Sequence, residues 1–171
     1  MHKHAPNSLR AFAAAALIKA GMPEEAAIAT ARGLVEADLY GHTTHGLQLL
    51  ADYVEEIENG TMAIDGRPHA ISDHGAVACW DARRLPGLWT TALAVTEAIA
   101  RAGRFGIGTI ALRRSHHIAC LAAFLEEPAR AGYLILVLSS DPGESRVAPH
   151  GGLTPVLMPD PIAAGIPRRP Q

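Results

Sequence analysis

Two glycines that bracket a six-residue segment, Gly41-His42-Thr43-Thr44-His45-Gly46, interrupt a stretch that reads as helix on both sides. Glycine lets the backbone turn where other residues resist. One continuous helix is therefore excluded, and two helices must meet at a tight connection. The same six residues carry two imidazoles and two hydroxyls, the raw material of proton transfer. A second cluster, Ser115-His116-His117, repeats that chemistry far along the chain.

The pattern upstream supports this reading. Ser8 can cap a first helix through its hydroxyl. Leu9, Phe12, Ala13, Ala16, Leu17 and Ala20 then recur on one helical face until Gly21. A second helix opens with Pro23 in its first turn and Glu24-Glu25 at the positive end of its dipole. Its expected buried stripe is Ile28, Ala31, Val35 and Leu39, and Gly41 stops it. Downstream, Leu47, Leu50, Ala51, Val54 and Ile57 face one way while Asp52, Glu55, Glu56 and Glu58 face another, until Asn59-Gly60. The opening sixty or so residues thus read as three packed helices.

The character of the chain then changes. A hairpin is expected from Ala70-Ile71 to Val77-Ala78-Cys79-Trp80, turning at Asp73-His74-Gly75. After a loop from Arg83 to Gly87, Leu88–Ala102 reads as a helix closing on Gly103. Ile107–Leu112 reads as a strand, Ile118–Ala131 as a helix shortened or kinked by Pro128, and Tyr133–Leu138 as a buried strand. Ile162–Gly165 is a short strand candidate. The fold class is α/β (α+β). The strand, helix and strand from Ile107 to Leu138 suit a parallel pair with a right-handed crossover.

Composition narrows the function. Hydrophobic residues make up 49% and charged residues 19%, with a net charge of -2. That balance offers no basic stripe for nucleic acid, and aromatic residues at 5% leave little for base stacking. No apolar run is long enough to span a membrane. The Ala-rich run after the basic start reads better as an amphipathic helix than as a signal segment. Cys79 and Cys120 have no CxxC spacing, and read as reduced, buried thiols in a cytoplasmic protein.

Each motif has a plain structural reading beside the functional one. Gly103-Arg104-Phe105-Gly106-Ile107-Gly108 follows a helix and precedes a strand, the reverse of a dinucleotide fingerprint. It reads as a helix cap and strand entry. His42, His45, His116 and His117 lack the spacing and the acidic partners of a zinc site, so no metal is expected. Thr44 could hold the tautomer of His45 or donate to a substrate oxygen. It could equally belong to a cap on the helix starting near Gly46. Ser115-His116-His117 lies where a strand is expected to give way to a helix, whose N-terminus would attract an anion. Ser139-Ser140-Asp141-Pro142-Gly143 ends a strand, where ligands commonly sit in α/β sheets, or is simply a turn.

Taken together, and in order, several segments resemble one family: the non-Rossmann malate/L-lactate dehydrogenase-type NAD(P)-dependent oxidoreductases, nearest their hydroxycarboxylate dehydrogenase branch. The matching residues are Glu36 through Gly46 and Tyr53-Val54, then Ser115 through Leu121 and Ser139-Ser140-Asp141-Pro142. They continue with Val147-Ala148-Pro149-His150-Gly151-Gly152 and Pro161-Ile162-Ala163. The resemblance implies reversible hydride transfer between NAD or NADP and a small 2-hydroxy/2-oxo or 2-imino acid. It also implies a homodimer. Thr44, His45 and His117 match the family's catalytic positions. His117, Ile118, Ala119, Cys120, Leu121 and Ser140 match cofactor contacts, and His42 and His116 are taken as substrate contacts. The implied division is a helical segment over 1–65 and the first part of a nicotinamide-binding domain over 66–171.

There are departures. Leu49 stands where many members carry an arginine that clamps the substrate carboxylate. Met158-Pro159-Asp160-Pro161 replaces a Gly-Thr-Asn-Pro segment. Family members also continue into a second part bearing an aspartate of the relay, and Arg168-Arg169-Pro170-Gln171 does not look like family sequence. The resemblance therefore implies an N-terminal half. The alternative is an inactive fragment serving at most as a folding or dimerisation unit.

Overall fold

The computed structural model describes residues 4–141, 143 and 145–168. It divides into two compact units, the first running through Phe124 and the second starting at Leu125.

The first unit opens with α1 (Pro6–Lys19), α2 (Glu24–Leu39) and, after the glycine-bracketed connection, α3 (Leu50–Glu58). α1 starts earlier than the sequence suggests. Ala5 is extended at the N-cap and Pro6 takes the first helical position, so Ser8 lies inside the first turn and caps nothing. The reason is that Pro6 has a helical φ already set and no N–H to leave unpaired. In α2, Pro23 sits at the N-cap position, just before Glu24. The buried face of α2 also differs from the expected stripe. Ala31 and Val35 are buried, but Ile28 and Leu39 are 54% and 55% exposed. Ala26, Ala27, Thr30, Gly33, Leu34 and Ala37 are buried instead. α2 packs against both α1 and α4, and small residues let a helix approach two neighbours closely.

The hairpin forms as expected: β1 (His69–Asp73) pairs antiparallel with β2 (Val77–Asp81). α4 (Gly87–Phe105) then leads to β3 (Thr109–Arg113), which lies parallel to β2 in a sheet ordered β1-β2-β3. The crossover unit of this chain is thus β2-α4-β3. The pair expected between Ile107 and Leu138 does not form, and β3 and β4 belong to separate sheets. α4 also runs past Gly103 and closes at Gly106, whose φ of 81° supplies the left-handed cap. Arg101, buried on α4, grips the hairpin turn through both oxygens of Asp73 at 2.7 Å and the Gly75 carbonyl at 2.6 Å. The Arg101 bonds first, and then the Gly75 N–H that Asp73 accepts at 3.0 Å, hold the Asp73 carboxyl down at about 2.

The helix expected over 118–131 is broken. A single 3-10 turn at Leu121–Phe124 precedes the five-residue α5 (Glu126–Arg130). Pro128 falls in the first turn of α5, where a missing N–H costs no helical bond. The second unit adds β4 (Ile135–Leu138), antiparallel to β5 (Ile162–Gly165) from Ile135↔Gly165 to Leu138↔Ile162. β5 has the bounds its sequence suggests. One face of this two-stranded sheet is open: Leu136, Leu138 and Ile162 are 59%, 63% and 68% exposed. Both cysteines are free, with Cys120 buried and Cys79 only half-buried. Among the described residues, no helix is long and apolar enough to cross a membrane.

Candidate active site

The first arm of the site is built where α2 ends. Gly41 adopts a φ of 82°. His42 N–H reaches back to the Ala37 carbonyl at 2.8 Å, and Gly41 N–H to Asp38 at 3.0 Å. That double return is a Schellman ending, which only a left-handed residue permits cheaply. Asp38 also looks forward, its Oδ2 accepting the Leu47 N–H at 2.9 Å. Gly46 makes room for this bond, since a Cβ there would stand 2.1 Å from Asp38 Oδ1. The cap that sequence reading offered to the threonines therefore belongs to Asp38. Between the glycines, Thr43–His45 forms one 3-10 turn. Thr44 Oγ1 and His45 Nδ1 share a hydrogen bond of 3.0 Å, the tautomer-holding contact rather than the helix cap.

The second arm leaves β3. No helix begins at Ile118, so the expected helix N-terminus beside Ser115-His116-His117 is absent. The segment is irregular and held from outside. His116 N–H donates to the Leu85 carbonyl at 3.3 Å, and Ser115 Oγ to the His116 carbonyl at 2.9 Å. The first residue of α4 fits closely against it: a Cβ on Gly87 would lie 2.2 Å from the His116 oxygen and 2.3 Å from that of His117. A side chain at Gly87 would push the two histidines away.

α3 completes the arrangement. Tyr53 is 3% exposed. Its hydroxyl lies 3.0 Å from His117 Nδ1 and 3.5 Å from the His117 carbonyl oxygen. Burial first, then Glu56 and Asp52, push the Tyr53 hydroxyl far above its ordinary range, so it keeps its proton. One turn on, Glu56 Oε2 stands 3.3 Å from His116 Nε2. That distance suits an ion pair, yet both groups shift toward neutrality. Burial, then the His117 and Arg84 charges, hold His116 at about 4, and burial also raises the Glu56 carboxyl. Desolvation outweighs attraction here, so His116 is a neutral imidazole set against Glu56, whose buried Oε2 accepts no hydrogen bond. Its Nδ1 is buried without a partner. Glu56, which its helical pattern assigns to the solvent face, is only half-exposed.

The two arms meet at His45 and His117, whose ring centroids are 5.7 Å apart with planes inclined by 35°. His42 is exposed, and His116 is half-buried against Tyr53 and Glu56 of α3. Of the stretch matched to cofactor contacts, His117 is exposed and Ile118 half-buried. Ala119, Cys120 and Leu121 lie in the core, leaving chiefly their backbone to offer. Ser140 is exposed at the end of β4 in the second unit. Asp141 makes the turn reading of its segment concrete by accepting the Gly143 N–H at 3.1 Å. Pro142 and the terminal Arg169-Pro170-Gln171 lie outside the described residues. Among the described residues, no three His, Cys, Asp or Glu are grouped to hold a metal. The functional reading of the sequence assigned no role to Tyr53, Glu56 or Asp38. Tyr53 and Glu56 stand at i and i+3 on α3, a spacing that could have flagged a shared face.

A family model for malate/L-lactate dehydrogenase matches residues 5–171. The chain belongs to this family. A (2R)-3-sulfolactate dehydrogenase (NADP(+)) from Chromohalobacter salexigens is 34% identical over 92% of this chain and 46% of its own length. Hydroxycarboxylate dehydrogenase B from Escherichia coli is 29% identical over 98% of this chain and 46% of its own. The malate dehydrogenase structure from Pyrococcus horikoshii superposes with a TM-score of 0.90 at 30% identity, over 99% of this chain and 48% of that one. This member of the malate/L-lactate dehydrogenase family spans about half the length of the curated relatives it matches.

Proposed function

We propose that the chain carries the proton-transfer half of a hydride-transfer site, acting between NAD or NADP and a small 2-hydroxy or 2-oxo carboxylic acid in the cytoplasm. The observation that carries the reading is the His45–His117 pair: two imidazoles from distant segments, 5.7 Å apart, each with a hydroxyl at its Nδ1. Reduction of a carbonyl leaves charge on its oxygen, and a positioned imidazolium neutralises it. His117 is the proposed acid/base, His45 its relay or oxygen partner, and Thr44 the group that orients His45. A bound nicotinamide would supply or accept the hydride. This donor set fits such a reaction because it moves a proton without a metal.

His117, Ile118, the backbone over 119–121 and Ser140 are the proposed cofactor contacts. His42 is the proposed substrate contact, together with His116, whose Nε2 lies against Glu56. The division into a helical segment over 1–65 and a nicotinamide-binding part over 66–171 belongs to this proposal, as does a homodimer.

A second reading, an inactive fragment that keeps its fold, is favoured by the open face of β4 and β5. Two-stranded sheets need a covered face to be stable in water. The test is an NADH fluorescence titration of the 171-residue chain, followed by a screen of 2-oxo acids. Saturable binding that is lost in His117→Ala supports the first reading. A folded chain without affinity at millimolar NADH overturns it in favour of the second.

A further inference from the structure

Tyr53 hydroxyl has one proton and two partners on the same residue. It can donate to the His117 carbonyl oxygen at 3.5 Å, or to Nδ1 of the ring at 3.0 Å, but not to both. Both contacts are satisfied at once in a single assignment. Tyr53 O–H donates to the carbonyl, and Nδ1–H of His117 donates to the Tyr53 oxygen. The ring proton then sits on Nδ1 and the lone pair on Nε2. Which imidazole nitrogen is basic is set by the bond the other one makes.

We propose that Tyr53 is a positioning residue for His117: it holds the ring as the Nδ1–H tautomer, so that Nε2 is the atom that takes and returns the proton. This rests on the reading of His117 as acid/base. In the oxidative direction the hydroxyl proton of a 2-hydroxy acid passes to Nε2, giving an imidazolium with both nitrogens protonated. In the reductive direction Nε2 returns that proton to the oxygen as the hydride reaches carbon. Nδ1–H donates to Tyr53 in both charge states. Proton gain and loss therefore need no rotation of the buried hydroxyl.

Three features keep Tyr53 in place for this role. It is 3% exposed on α3, so water does not compete for the hydroxyl. Its ring meets the rings of His116 and His117 edge-on, with centroids at 5.9 and 6.3 Å. Glu56, one turn further on the same helix, stands 3.3 Å from His116 Nε2. The helix thus meets both neighbouring histidines, and Tyr53 is the residue of α3 that bonds the His117 ring.

The test is nitrogen-15 NMR of the full 171-residue chain labelled at histidine, with His117 identified by the signals missing from His117→Gln. The neutral His117 ring should carry its proton on Nδ1. In Tyr53→Phe, which keeps the ring and removes only the hydroxyl, the population should shift toward Nε2–H, while Thr44→Val leaves His117 unchanged. A wild-type ring found as Nε2–H overturns the proposal, as does an Nδ1–H ring indifferent to Tyr53→Phe. Should Tyr53→Phe fail to fold, the wild-type spectrum still decides. The tautomer is read without cofactor or substrate, so a chain that binds no NADH refutes the functional reading and leaves this measurement intact.

Discussion

His45 and His117 are held in the same way by opposite means. Each has a hydroxyl 3.0 Å from Nδ1. The partner of His45 is the adjacent Thr44, exposed and reached within one turn. That of His117 is Tyr53, 64 residues away in sequence and buried on α3. A local, solvent-exposed bond competes with water and contributes little net stability, whereas a buried group left unpaired costs its full desolvation. The comparison teaches that the first couple belongs to a turn and the second to the whole unit.

The largest expected effect removes the local turn. Gly46→Ala places a Cβ against Asp38 and displaces the bond to Leu47 N–H, so overpacking and the lost cap act together. The loss should be about 3 kcal/mol, read as a lower denaturant midpoint. An unchanged midpoint would mean that the connection is softer than its contacts imply.

Tyr53→Phe comes next, at about 1 kcal/mol from the lost hydrogen bond. Thr44→Val should cost less than about 0.5 kcal/mol, as exposed changes do. Thermal melts of the two variants side by side sharpen the contrast, and equal losses would break it.

A separate effect is a slope with pH. His116 is held at about 4 in the folded chain, below its ordinary value. Between those two values the unfolded chain binds the additional proton, so stability rises with pH across that window and is lost on acidification. Glu56 works the other way. Its raised carboxyl is the more protonated in the folded chain, which offsets part of the loss just above pH 4.5. The acid limbs of Asp73 and Asp81, both held at about 2, lie lower. His116→Gln should therefore flatten the denaturant midpoint between about pH 4 and 6.5. An undiminished slope would place the titrating group elsewhere.

Much of the first unit was legible because its signals are local. The β1–β2 hairpin announced itself through Asp73-His74-Gly75, and the α2 ending through Gly41. The misreadings share a cause, since each needed knowledge of what packs where. Ile28 and Leu39 match a helical stripe but are exposed, because α2 buries its small residues against two neighbours. Gly103 looked like a terminus, but α4 runs on to Gly106. The expected crossover from Ile107 to Leu138 required a helix that the stretch around Pro128 does not sustain.

By itself the sequence determined which chemistry is present: two histidine clusters, their adjacent hydroxyls, and glycines where the backbone must turn. Spacing along a chain is enough to specify those, because turns and caps are set by neighbouring residues. Only the tertiary structure decided which histidines meet, and which nitrogen of each is engaged. It brought His45 to His117, put His116 against Glu56, and set Tyr53 at His117 Nδ1. Those choices depend on α3 packing against a segment far away in sequence, and burial there gives a single hydroxyl the leverage that it lacks in water.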